Sequence, residues 1–191
     1  MSFLNELPQL RMVWPRNELT HSFEYPVPEG YSLRTYRPGD EDQFFKLMNV
    51  AGWNGWNKEV LQPWLAKILP DGWFVIADKD SDEILYSAMS LHNYKGTYPF
   101  WGELGWLAGH PDHSGKGLGL IVSASVTERL INAGYKNIQL FTEDFRLPAI
   151  KTYLRLGYIP SFYLEGMTDR WEMLCNELGW PFTPKIWDNF N

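Results

Sequence analysis

Three glycines at alternate positions, in Ser114-Gly115-Lys116-Gly117-Leu118-Gly119, are the residues of this chain whose spacing points most directly to chemistry. Without Cβ atoms such a run turns tightly and leaves successive backbone N–H groups unobstructed. It opens onto a helical pattern, whose first turn adds unsatisfied N–H donors and the positive end of the aligned peptide dipoles. Together these make a cradle for an anion, phosphate above all. The spacing excludes two familiar phosphate loops. A GxxxxGK[ST] loop would need glycine at His110 and Ser or Thr at Gly117, and the dinucleotide fingerprint GxGxxG is replaced here by GxGxG. A tight strand-to-helix turn with no ligand accounts for the same glycines.

Other reactive residues carry less. His110, Asp112 and His113 crowd one turn with no partner cluster elsewhere, which reads as a solvated loop, so no metal is expected. Lys116 either touches a phosphate or is plain surface charge. Cys175 lies in an amphipathic stretch with Leu174 and Leu178 and reads as a buried thiol rather than a nucleophile. Trp53 and Trp56 either line a pocket or belong to the core.

The elements that must position these residues alternate between strand and helix patterns. Residues 1 to about 30 hold Pro8, Pro15, Pro26 and Pro28 and read as an extended arm. Tyr31–Tyr36 alternates like a strand, and a helix follows from Asp40 with Phe44, Leu47, Met48 and Ala51 on one face. A second short helix is expected to end near Pro70-Asp71-Gly72. Strands are expected at 73–77, 84–89, 102–109 and 138–141, with a hairpin loop over Asp78–Asp82. Helices are expected from Gly117 to Ala133, from Leu147 to Gly157 and from Arg170 to Leu178. The class is α/β, with a largely antiparallel start and a later βαβα unit.

With 191 residues, the chain holds one domain with a real core, placed at 31–191 behind the arm. No apolar run reaches the ~20 residues of a membrane span. Met1–Glu6 lacks the basic start and apolar centre of a signal peptide, and one cysteine cannot form an internal disulfide, so cytoplasm is the expected compartment. A net charge of −6 argues against nucleic acid as the main partner. The segment from Asp112 to Pro160 nevertheless carries six positive against four negative residues, leaving the earlier part to receive a cationic group.

At this point the residues resemble the GNAT superfamily of acyl-CoA N-acyltransferases. That family's cofactor loop reads Arg/Gln-x-x-Gly-x-Gly/Ala at the end of a strand, and Ser114–Gly119 follows Leu104–Pro111 here. Its later signature, Asn-x-x-Ala-x-x-x-Tyr-x-x-x-Gly-Phe, appears as Arg146-Leu147-Pro148-Ala149-Ile150-Lys151-Thr152-Tyr153-Leu154-Arg155-Leu156-Gly157-Tyr158. The resemblance is specific over about 102 to 160 and extends in element order from about 31. Ser114 stands where the family has Arg or Gln but keeps its backbone N–H. Arg146 replaces Asn, and either pairs with a cofactor phosphate or faces solvent.

The resemblance implies a mixed, largely antiparallel twisted sheet flanked by helices and splayed between its fourth and fifth strands. It implies acetyl-CoA as co-substrate, its pyrophosphate at Ser114, Gly115, Lys116, Gly117, Leu118 and Gly119. The pantetheine arm would lie in the splay against the backbone of Leu107, Ala108 and Gly109, with the Leu107 N–H polarising the thioester carbonyl. Glu103 matches the family's general base, in a partly apolar cleft that would raise its pKa; the alternatives are a surface glutamate or an amine-binding anion, with a water relay as base. Tyr153 matches the tyrosine that protonates the departing thiolate, or else is a core tyrosine. The acceptor is an amine on a small molecule or peptide, with no nucleic acid or membrane partner, and a homodimer is left open. A non-catalytic acyl-CoA-binding domain on the same fold is the alternative.

Overall fold

Strands such as Trp73-Phe74-Val75-Ile76-Ala77 are apolar on both sides, so both faces of the sheet they build must be covered. The protein, described by a computed structural model over residues 7–20, 22–92, 96 and 98–187, solves this with helices on each face. The strands are β1 (Leu10–Val13), β2 (Tyr31–Thr35), β3 (Ile68–Asp78), β4 (Ile84–His92), β5 (Trp101–Gly109), β6 (Asn137–Thr142) and β7 (Ile159–Ser161). The helices are α1 (Glu41–Val50), α2 (Lys58–Leu65), α3 (Leu118–Asn132), α4 (Leu147–Leu156), α5 (Met167–Leu178) and α6 (Pro184–Trp187). The sheet order is β2-β3-β4-β5-β6-β1-β7, antiparallel throughout except where β5 and β6 run parallel.

One face packs Ile76, Ala88, Leu104, Ile138 and Leu140 against α3, α4 and α5. The opposite face packs Val75, Met89 and Leu91 against α1 and α2. Two irregularities matter for function. The β5–β6 pairing runs from Trp101↔Asn137 to Glu103↔Gln139 and stops, so the two strands part beyond Glu103. These are the fourth and fifth strands counted from Tyr31, as the family resemblance implies. In β5 itself, Met89↔Gly105 is followed by Ser87↔Ala108, which leaves one extra residue on β5, and Trp106 there has φ 53°.

Three readings of the sequence give way here. The stretch taken as a plain extended arm contributes β1, inserted between β6 and the edge strand β7, with Leu10 and Met12 fully buried. Four residues between prolines carry too little alternation to show as a strand. Pro70-Asp71-Gly72 does not precede the third strand but lies inside it, absorbed by a bulge between Ile68↔Leu91 and Trp73↔Met89 with Asp71 at φ 52°. β7 and α6 had no periodic signal, being three and four residues long. Met1–Glu6 lies outside the described residues. Among the described residues, no helix is long and apolar enough to cross a membrane.

Candidate active site

The glycine turn is open. Gly115 and Gly117 have φ values of 77° and 78°, a region that only glycine adopts cheaply, and a Cβ at either would meet nothing within 4 Å. Gly117 caps α3, and the first helical hydrogen bonds come from Leu120 and Ile121 to Gly117 O at 3.0 and 3.1 Å. Leu118 and Gly119 therefore stand ahead of the helical ladder, their N–H groups directed out of the helix end. Gly119 has a different reason for its type, since its Cβ would lie 3.4 Å from the Tyr86 ring.

This turn forms one wall of a groove of about 470 Å³, whose walls include Leu107, Ala108, Gly109, Ser114, Gly115, Gly117, Leu118, Gly119 and the start of α4. Lys116 is not among its walls. Its Nζ donates to Tyr31 Oη at 2.6 Å and lies over that ring, and Tyr31 Oη also meets His113 Nδ1 at 3.0 Å. The lysine thus ties the turn to β2. Among the described residues no group of three His, Cys, Asp or Glu side chains is disposed to hold a metal.

A smaller cavity of about 110 Å³ lies in the splay, where β5 and β6 part. It shares Leu107, Arg146 and Ala149 with the groove, so the two hollows are contiguous in their walls. Glu103 and Tyr153 both line it, from opposite faces of the sheet. Glu103 pairs in register with Leu91 and Gln139, on the face that α1 and α2 cover, and is 3% exposed. Gln139 Nε2 donates to its Oε2 at 3.4 Å. Tyr153 comes from α4, on the other face, and is 5% exposed. Burial pushes its phenol well above the ordinary tyrosine value, so it stays protonated throughout the neutral range.

Arg146 does not face solvent. Its Nε donates to Glu143 at 2.7 Å, Gln9 Nε2 donates to the same carboxylate at 2.8 Å, and its guanidinium lies 3.7 Å from the centre of the Trp53 ring. Trp53 also lines the inner cavity. Trp53, Trp56 and Trp64 surround Trp106 at centroid distances of 5.3, 4.6 and 5.1 Å. This packing holds Trp106 in a backbone region that costs a bulky residue about 1–2 kcal/mol. Cys175 is buried, and that burial raises its thiol pKa, as suits a packing residue. Tyr158, where the family has Phe, is buried with its hydroxyl 3.0 Å from Thr127 Oγ1.

The sequence reading missed Gln139 and Thr142, two polar residues of β6 that are 3% and 2% exposed. Their signal was the interruption of an apolar strand, Ile138-Gln139-Leu140-Phe141-Thr142, by groups that need partners. It also left the Arg146–Trp53 stacking unread, since nothing local joins residues so far apart in the chain.

A parallel–antiparallel sheet splayed over a backbone-lined groove, with an open glycine turn at a helix start, is the arrangement of acyl-CoA N-acyltransferases. The sequence profile of the acetyltransferase (GNAT) family matches residues 35–158, and the chain belongs to this family. It is similar to the mycothiol acetyltransferase of Rhodococcus erythropolis, with 30% identity over 169 residues covering 81% of this chain and 54% of that protein. The mycothiol acetyltransferase of Pseudarthrobacter chlorophenolicus is 25% identical, with 81% and 50% covered. The chain spans about half the length of the curated relatives it matches. A crystal structure of a GCN5-related N-acetyltransferase from Sphaerobacter thermophilus shares the fold, with a TM-score of 0.62 at 21% identity, covering 81% of this chain and 50% of that one.

Proposed function

We propose that this protein transfers an acetyl group from acetyl-CoA to the primary amine of a small molecule by direct attack in a ternary complex. The observation that carries this reading is the contiguity of the two hollows: a groove ending at an open N–H-rich turn leads to a cavity lined by a carboxylate and a protonated phenol. The turn fits a diphosphate, because Cβ atoms at Gly115 and Gly117 would stand in the open space where the anion lies. Acetyl-CoA supplies the activated acyl carbon. Beyond Glu103, β5 has no strand partner on the β6 side, so the backbone groups of Leu107 and Gly109, which alternate away from β4, are available to an extended arm, while Ala108 between them pairs with Ser87 of β4.

Glu103 accepts the proton of the neutral amine as its nitrogen bonds to the acyl carbon. The Leu107 N–H, aimed by the bulge at Trp106, donates to the acyl oxygen. Tyr153 gives its proton to the sulfur as the carbon–sulfur bond breaks, and is recharged by the proton held on Glu103, directly or through water. Much of the acceleration comes from holding amine and thioester together. The relatives named mycothiol acetyltransferase, together with the narrow inner cavity, favour a small-molecule acceptor over a protein surface. The chemistry assigned to Glu103 and Tyr153 uses no metal, and the site of action is the cytoplasm.

A thiol-release assay with acetyl-CoA against a panel of small amines tests the reading. Amine-dependent release with saturation in both substrates is expected. Saturable binding of acetyl-CoA without release for any amine would reduce the protein to a binding domain, and no binding at millimolar concentration would overturn the assignment.

A further inference from the structure

Thr142 ends β6 at the point where the strands have parted, and Glu103 and Tyr153 leave its hydroxyl without a task. The side chain is 2% exposed and lines the inner cavity, yet Oγ1 is buried with no hydrogen-bond partner among the described residues. A buried hydroxyl without a partner is costly, since it has given up water and gained nothing. Such a group persists where a bound molecule completes it. Trp53 Nε1, also buried without a partner, lines the same cavity, but its ring already carries the Arg146 guanidinium; Ser123 Oγ and Trp171 Nε1 are likewise buried without partners and line neither hollow.

Strand parity says which substrate Thr142 meets. Leu10 pairs with Thr142 and Met12 with Leu140, and Leu10, Met12, Ile138 and Leu140 all belong to the core under α3 and α4. Thr142 continues that alternation, so it shares the face of Tyr153, while Glu103 and Gln139 occupy the other. The face shared with Tyr153 is also the one on which the glycine turn and α4 build the groove. A hydroxyl of the inner cavity on this side lies past Leu107, Arg146 and Ala149, the residues shared with the groove, where a chain anchored at Gly115–Gly119 would present its thioester.

We infer that Thr142 Oγ1 is a binding residue for the thioester end of acyl-coenzyme A, completing its hydrogen bonding only when the cofactor is seated. The inference rests on the acyl-CoA reading proposed above. It assigns Thr142 to the cofactor and not to the amine.

The test is Thr142→Val, which keeps the shape and removes the hydroxyl, beside Thr142→Ser, which keeps the hydroxyl. Acetyl-CoA binding is measured by calorimetry, and thermal unfolding is followed with and without acetyl-CoA. Thr142→Val is expected to bind acetyl-CoA about 5- to 10-fold more weakly, with a smaller cofactor-induced rise in Tm. Its Tm without ligand should be equal to or above that of the parent protein. Thr142→Ser should restore most of the binding, and KM for the amine should be unchanged in both. Unaltered acetyl-CoA binding in Thr142→Val would overturn the inference, as would a ligand-free Tm several degrees lower with the cofactor-induced rise intact. If the parent protein itself shows no acetyl-CoA binding, the acyl-CoA reading fails first, and this inference falls with it.

Discussion

The groove and the inner cavity of this protein are neighbours that share three residues, yet they are made of different materials. The groove is built from main chain: two glycines with positive φ, a helix start, and a strand edge whose partner has swung away. The cavity is built from side chains brought from separate elements: Glu103 on β5, backed by Gln139, Thr142 on β6, Arg146 and Tyr153 at α4, and Trp53 from the α1–α2 connection. A site made of backbone tolerates changes in side chain and fails when a φ angle is lost. A site made of side chains fails when one functional group is removed.

The largest effects are expected in the cavity. Glu103→Gln should lower kcat by about 10²-fold or more, because it removes the carboxylate proposed as base while keeping the side chain's shape and its contact with Gln139. The acid limb of the pH–rate profile should change with it; a profile identical to the parent's would remove Glu103 as base. Tyr153→Phe should lower kcat by about tenfold or more with acetyl-CoA affinity retained. Unchanged turnover in that variant would return Tyr153 to a packing role.

The groove predicts the opposite division. Gly117→Ala adds no clash, since nothing lies within 4 Å of the new Cβ, but it forces an L-residue to φ 78°. KM for acetyl-CoA should rise about tenfold as the cradle's N–H groups shift, with kcat changed little and stability lowered by about 1 kcal/mol. Gly119→Ala is the control. That residue has no positive φ and its Cβ would make ordinary contact with Tyr86 at 3.4 Å, so both KM and stability should stay near the parent values. If the two variants behave alike, the groove is not the backbone-made site described here.

The same division explains what the sequence disclosed. The glycine turn was legible because its chemistry is local: spacing, φ preference and helix start all lie within six consecutive residues. Glu103 and Tyr153 were legible only through a family signature, since no local pattern says that β5 and α4 flank one cavity. Thr142 and Gln139 left only the interruption of an apolar strand as a signal, and that did not assign them to the site, because a polar residue in a strand looks the same whether it faces solvent or a cavity. Arg146 was left between a phosphate and solvent; the solvent alternative gives way, because Glu143 and Trp53 hold it at the junction of the two hollows, where it remains a wall of the groove. β1 escaped because a four-residue strand inserted between β6 and β7 is fixed by its partners and not by its own periodicity.

Alkaline pH gives a smaller, purely energetic contrast. Burial raises the phenols of Tyr153 and Tyr158 above the ordinary 10.0, so the folded protein keeps protons that the unfolded chain loses. Their contribution is complete below pH 10 and is lost as pH rises above it, by at most about 1.4 kcal/mol per pH unit for each phenol. Denaturant unfolding between neutral pH and pH 11 should show this fall, and Tyr153→Phe should reduce its slope. An unaltered slope would mean that the cavity lets Tyr153 ionise freely.

The smallest expected effect bears on the residue that joins the two regions. Trp106 lies in the β5 bulge, and the bulge sets the direction of the backbone at Leu107, a residue that belongs to the walls of both hollows. Its indole is packed among three other tryptophans, so any truncation loses about 3–5 kcal/mol of packing. Glycine and alanine lose that packing alike but differ in backbone preference. At φ 53°, Trp106→Gly relieves the left-handed cost that Trp106→Ala retains. The glycine variant should therefore be the more stable of the two by about 1 kcal/mol in denaturant unfolding. Were alanine equal or better, the bulge would not be held in that conformation, and the Leu107 N–H could not be the shared fixed point between groove and cavity.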